Sequence, residues 1–258
     1  MNLKFYKYQA TGNDFILIDD RNETFNINGS KYIESLCKRR YGIGADGLIL
    51  LRNHEKYDFE MIFFNSTGER STFCGNGARC IIAFSNYLNI IKETTTFMAY
   101  DGIHKGIFKD NNVSLQMSDV DNINIDKEYT ILDTGSPHLV KIIESIENFD
   151  VLKYGSRIRY DKKFGDYGIN VNFVEIINDK IFSRTYERGD EMESLSCGTG
   201  SVATAISLNK TKLINSNDID IHTKGGVLNV KFDIFNQSYI NIWLTGEAKM
   251  SYSGDLKC

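Results

Sequence analysis

Cys74-Gly75-Asn76-Gly77-Ala78-Arg79-Cys80-Ile81 places a thiol directly before G-x-G and an apolar run. That is the pattern of a cysteine at a helix N-terminus. The stretch recurs 123 residues later, where Cys197-Gly198-Thr199-Gly200 opens the apolar run Val202 to Leu208. The same offset carries Thr11-Gly12 onto Thr134-Gly135, and Arg39-Arg40-Tyr41-Gly42 onto Lys162-Lys163-Phe164-Gly165. Three matches on one diagonal read as a duplicated unit with one cysteine per copy at the same structural address.

Around the two cysteines the chain is strand-rich. Leu3–Tyr8, Phe15–Ile18, Leu48–Leu51, Phe59–Phe64, Lys105–Phe108 and Val113–Met117 read as strands of the first copy. Asp101-Gly102 is a hairpin signal. Ser30 is expected to cap a helix through Ile33, Leu36 and Cys37, and Cys74 to open one ending near Tyr87 or Leu88. The polar stretch Asp119–Lys127 reads as a linker. Beyond it, Thr130–Leu132, Leu139–Ile143, Val171–Ile177, Phe182–Tyr186, Asp220–Thr223, Val227–Phe232 and Tyr239–Leu244 read as strands, and Arg157–Lys163 as a basic segment. Strands grouped about one helix per half predict an α+β fold rather than alternating βαβ units. The expected domains are residues 1–123 and 124–249.

Composition narrows the function. The 258 residues are 41% apolar and 25% charged with net charge −4, enough for two domains and without the basic stripe of a nucleic-acid binder. Met1–Lys7 has no apolar core of a signal peptide, and no apolar run reaches membrane-spanning length. Five cysteines without small-protein spacing fit a reducing compartment, hence a cytoplasmic protein. No C-x-x-C and no paired histidines are present, so no metal site is expected. Two glycine motifs, at Gly42–Gly47 and Gly198–Ala203, lack the strand-then-helix context of a dinucleotide fingerprint.

Cys37 and Cys80 lie on apolar helix faces and read as buried small hydrophobes; Cys258, the last residue, reads as merely exposed. Cys74 and Cys197 differ, because a helix N-terminus favours a thiolate and its N–H groups favour an anion. Two copies facing across a cleft would set two thiols on opposite sides of one carboxylate-bearing carbon. One thiolate removes the α-proton and the other thiol returns one to the opposite face, which is racemisation or epimerisation without a cofactor. Asn13, Asn65 and Asn170 read as turn residues or ligands, and Arg188 of Glu187-Arg188-Gly189 as a carboxylate clamp or a surface ion pair. His138, in the turn Gly135-Ser136-Pro137-His138, reads as a proton relay or a structural hydrogen bond.

These stretches, with Thr11–Phe15, Gly44–Leu48, Tyr186–Gly189 and Ser196–Gly200, resemble the diaminopimelate epimerase family over nearly the full chain. The resemblance implies two pseudo-symmetric domains, each a β-sheet wrapped around a central helix. It also implies cofactor-independent interconversion of LL- and meso-diaminopimelate, for lysine and peptidoglycan precursors. By position, it makes Cys74 and Cys197 the acid/base pair, with His138 and Glu187 setting their protonation. Gly75, Asn76, Gly198 and Thr199 would hold the α-carboxylate; Asn13, Asn65, Asn170 and Arg188 the distal amino-acid end; Glu187 its amino group. Tyr252 matches a tyrosine at the family's dimer contact, implying a homodimer, and the resemblance implies that the tail 250–258 returns to the first domain. Gly47 and Ser136 depart from the family's Gln and Asn, and Asp190-Glu191-Met192 carries one residue more than its commonest pattern. The competing readings are a racemase of another amino acid and a non-catalytic ligand-binding relative.

Overall fold

The computed structural model describes residues 2–26 and 29–257; Cys258 lies outside them. The chain forms two compact units, Met1–Leu115 with Gly246–Cys258, and Gln116–Thr245.

The first unit contains β1 (Asn2–Ala10), β2 (Asn13–Asp19), α1 (Ser30–Cys37), β3 (Gly47–Arg52), β4 (Glu60–Asn65), α2 (Gly75–Tyr87), β5 (Thr94–Ala99), β6 (Gly102–Lys109) and β7 (Asn112–Gln116). β2 and β3 are parallel, β3 and β4 antiparallel, and β4 meets β5 in parallel at Glu60 and Met98. β5, β6 and β7 continue antiparallel. α2 touches β1, β2, β3, β4 and β6, so the sheet curls around it. Its residues Asn76 to Ser85 are all buried, as befits a helix enclosed by the sheet. Ile81, Ile82 and Phe84 are fully enclosed, each stabilising the unit by about 1.5–3 kcal/mol. α1 covers the other side of the strands, packing Ile33, Leu36 and Cys37 on Ile16, Ile18, Leu48 and Leu50.

The second unit repeats this plan. Its elements are β8 (Ile123–Ile125), β9 (Thr130–Asp133), β10 (Pro137–Ile142), α3 (Val151–Arg159), β11 (Asn170–Ile177), β12 (Lys180–Glu187), β13 (Met192–Glu193), α4 (Gly198–Lys210), β14 (Asp218–Thr223), β15 (Gly226–Phe235) and β16 (Ser238–Glu247). The parallel pairs are β10–β11 and β12–β14. The repeat extends to register: Phe15 pairs with Gly47, and His138 with Asn170, each number advanced by 123. α4 is enclosed by Val174, Ile181, Ile221, Leu228, Val230, Ile242 and Leu244. The last strand, β17 (Lys249–Lys257), belongs to the first unit and pairs antiparallel with β1.

The fold is α+β, as the sequence predicts, with three local differences. Ser30 does not cap α1; Gly29 is the cap, its carbonyl accepting from Tyr32 and Ile33 N–H, and Ser30 begins the helix. The basic segment opens as the end of α3, whose N-terminus Asp150 caps by accepting from Lys153 N–H at 3.0 Å, and runs on into a 3-10 turn at Lys162–Phe164. β8 lies inside the stretch read as a linker, pairing with β9. Among the described residues no helix is long and apolar enough to cross a membrane.

Candidate active site

Each cysteine is the N-cap of its central helix, in extended conformation. Cys74 Sγ accepts from Gly77 N–H at 3.5 Å, and Cys197 Sγ from Gly200 N–H at 3.4 Å. The thiol takes the place of the Ser or Asp oxygen that usually satisfies an orphan helix N–H. Gly75 and Asn76 open α2, and Gly198 and Thr199 open α4. At the glycine three places after each cysteine the neighbouring side chains come close. A Cβ on Gly77 would lie 2.9 Å from Ile49 Cδ1, and one on Gly200 only 2.4 Å from Asn172 Oδ1.

In the first unit, Asn13 Oδ1 accepts from Asn76 Nδ2 at 3.2 Å and faces Cys74 Sγ at 3.8 Å, while its own Nδ2 donates to Asp46 at 2.6 Å. Asp46 and Asp14 are bound to Arg39. The Arg39 and Lys7 cations hold the Asp14 carboxyl down at about 2, against the burial that raises it. Asn65 uses its carbonyl to close its own turn, accepting from Thr67 and Glu69 N–H, and approaches Glu69 with its amide at 3.5 Å. Sequence reasoning passed over Arg79, one turn into α2 and fully buried. Its Nη2 donates to Thr11 Oγ1 and Asn76 Oδ1, fixing the Asn76 amide, while Nε and Nη1 find no hydrogen-bond partner among the described residues. Burial brings this guanidinium down to about 10.

In the second unit the thiol lies at the end of a chain of polar contacts. Asn172 Nδ2 donates to Leu139 O and to His138 Nδ1, each at 3.0 Å. His138 Nδ1 is therefore the acceptor, and the proton sits on Nε2. Nε2–H donates to Thr199 Oγ1 at 2.9 Å, and Thr199 Oγ1 lies 3.5 Å from Cys197 Sγ. His138 thus reaches Cys197 through Thr199. Burial above all, with the Arg188 charge, lowers the imidazole to about 3, so it is neutral at physiological pH. The Cys197 thiol is pushed well up, first by burial and then by the Glu187 carboxylate to which it hydrogen-bonds. Burial in turn raises the Glu187 carboxyl, against that hydrogen bond. Cys37 and Cys80 are buried as expected, and burial raises Cys37 to about 11 and Cys80 further.

Asn170 ties the remaining residues together. Its Nδ2 donates to Ser136 Oγ and Pro137 O, and its Oδ1 accepts from Arg188 N–H at 2.9 Å. The Arg188 guanidinium lies over the Tyr167 ring, Cζ 3.7 Å from its centroid. Tyr252, half-exposed on β17, stands edge-on to Phe5 and donates to Ile43 O at 3.5 Å. Asn172 and Tyr167 went unnoticed because a polar residue in an apolar strand and a loop tyrosine carry no local signal.

The family profile of diaminopimelate epimerase matches residues 5–122 and 130–251. The chain belongs to the diaminopimelate epimerase family. A diaminopimelate epimerase of Flavobacterium psychrophilum is 50% identical over 252 residues, covering 97% of this chain and 98% of that one. One of Aquifex aeolicus is 34% identical over 275 residues, covering 98% of each. As a member of the family, the chain is an isomerase. Solved structures extend the likeness of fold alone. A Bacillus anthracis phenazine biosynthesis protein of the PhzF family superposes with TM-score 0.78 at 12% identity over all of both chains. A hydroxyproline epimerase from Agrobacterium vitis gives 0.72 at 12% identity, covering 99% of this chain and 92% of that one.

Proposed function

We propose that the chain interconverts LL- and meso-diaminopimelate by proton exchange at Cα, with Cys74 and Cys197 as the two acid/base groups. The observation that carries this reading is the repeated device, a cysteine capping each central helix with its sulfur on a glycine N–H. A thiolate takes the α-proton, and the electron pair spreads into the α-carboxylate held at the helix N-termini by Gly75, Asn76, Gly198 and Thr199. The second thiol then gives its proton to the opposite face, leaving the thiolate and thiol exchanged. Helix-end N–H groups stabilise the charge where it develops, so the step needs no cofactor. Cys197, raised by burial and Glu187, enters as the protonated partner. Arg188 takes the distal carboxylate, with Asn13, Asn65 and Asn170 about the distal end and Glu187 at its amino group. His138 acts on Cys197 through Thr199. The setting is cytoplasmic lysine and peptidoglycan-precursor synthesis, and the working form is a homodimer through the face carrying Tyr252.

The test is incubation with LL- and meso-diaminopimelate, and with a panel of other amino acids, in D₂O. Diaminopimelate should gain deuterium at Cα with inversion. Exchange confined to a different amino acid would overturn the substrate assignment, and no exchange with any would overturn the catalytic reading.

A further inference from the structure

Arg188 is held at both ends. Its main chain is fixed by the N–H bond to Asn170 and by the turn that follows, where Gly189 has φ +98° and Glu191 N–H returns to Glu187 O at 3.0 Å. Its guanidinium lies over the face of Tyr167, at stacking distance. Tyr167 is 66% exposed, so burial does not hold the ring there. The loop does. Gly165 and Gly168 have φ +62° and +65°, and Gly168 lies so close to Arg159 that a Cβ would come 1.8 Å from Nη1. Arg159 pairs with Glu191 at 3.1 Å, and Glu191 also accepts from Gly189 N–H and Tyr186 OH. The end of α3, on which the loop carrying Tyr167 packs, is therefore joined by one ion pair to the turn following Arg188.

The guanidinium so held lacks a carboxylate. Among the described residues no acidic side chain pairs with Arg188; Nη2 makes one long contact, 3.4 Å to Ser136 Oγ, and the buried Nε has no partner. An arginine with its plane set by an aromatic face and its Nε edge unpartnered matches a planar, two-oxygen acceptor. We infer that Tyr167 is a positioning residue for Arg188, fixing the guanidinium plane so that its Nε edge meets the distal carboxylate of the substrate. This rests on the diaminopimelate reading above and adds to it a determinant of specificity. The aromatic face is what acts; the phenol hydroxyl is dispensable.

The experiment compares wild type, Tyr167→Phe and Tyr167→Ala, in kinetics with diaminopimelate and in the ¹H–¹⁵N signal of Arg188 Nε–H. Losing a cation–π contact should raise KM about threefold to thirtyfold, with kcat changed by no more than about twofold. Tyr167→Phe should stay within about twofold of wild type in both. The Nε–H signal should be displaced by the ring in wild type and Tyr167→Phe, should return to the ordinary position in Tyr167→Ala, and should shift when diaminopimelate is added. In an Arg188→Lys background, Tyr167→Ala should add little further loss. An unchanged KM in Tyr167→Ala, equal damage from Phe and Ala, or an Nε–H signal indifferent to diaminopimelate would each overturn the inference. A fall in kcat matched by a fall in melting temperature would mark Tyr167 as structural only. A wild type that shifts the Nε–H signal with diaminopimelate but does not turn it over would overturn the functional reading and leave the positioning role supported.

Discussion

Gly77→Ala and Gly200→Ala are the same change at equivalent places, the third residue of each central helix, yet they should differ in cost. At Gly200 the new methyl meets Asn172 Oδ1 at 2.4 Å, with Cys197 Cβ and Sγ at 3.1 and 3.2 Å. Asn172 cannot swing aside freely, because it donates to His138 and Leu139 O and accepts from Thr185 Oγ1 at 2.8 Å. Overpacking costs about 1–3 kcal/mol, and a broken buried hydrogen bond about 1–3 kcal/mol more. Alanine's better helix preference returns about 1 kcal/mol. The net loss is about 1–5 kcal/mol, or roughly 2–20 °C in melting temperature for a chain of this size. At Gly77 the methyl meets the ends of Ile49 and Met61, at 2.9 and 3.4 Å. Those terminal methyls rotate away for under about 1 kcal/mol, so Gly77→Ala should be near neutral. Thermal and urea unfolding of both variants give the ordering directly. Equal destabilisation, or the reverse order, would refute the claim that the Asn172 network makes Gly200 the less replaceable of the two.

Arg188→Lys should lower kcat/KM for diaminopimelate by about a hundredfold, since an ammonium cannot make a two-point clamp; a near-normal value would reduce Arg188 to a surface cation. Cys74→Ala and Cys197→Ala should each abolish epimerisation while releasing halide from a β-halo analogue with opposite stereochemical preference, because elimination needs one base and no returning acid. Full epimerase activity in either variant would defeat the two-thiol mechanism. The folded-state imidazole of His138 is lowered from 6.5 to about 3, so the unfolded chain binds the extra proton between those values. That contribution to stability is present above pH 6.5 and is lost as pH falls toward 3. Between pH 6.5 and 4.5, above the range of the lowered Asp14, His138→Gln should flatten the fall in urea midpoint; the raised Glu187 acts with the opposite sign and is common to both proteins. An unchanged slope would mean that His138 is not neutral when folded. Tyr252→Ala should weaken self-association in sedimentation, and a monomeric wild type at micromolar concentration would contradict the proposed dimer.

Much of this protein was determined by its sequence alone, because the signals were local. A cap, a G-x-G and an apolar run act within one helical turn, so both central helices and their cysteine caps could be read directly. The offset of 123 residues revealed the duplication, and it also held α3, the counterpart of α1, although the basic charge of Arg157–Lys163 hid that helix. What the tertiary structure decided is which side chains meet across long separations. Asn172 and His138 are partners because parallel pairing of β10 with β11 puts His138 opposite Asn170 and so brings Asn172, two residues along the strand, within hydrogen-bond reach of it. In the first copy the place of Asn172 is filled by Ile49, which no motif distinguishes from any other core residue. Arg79 reads as an ordinary helix charge until the curled sheet encloses it. Tyr167 meets Arg188 where the loop packed on Arg159 and the turn holding Glu191 come together across the Arg159–Glu191 ion pair. The backbone pattern is written in neighbouring residues, whereas the electrostatics of the thiols and of the arginine depend on burial and contact, which exist only once the chain has closed on itself.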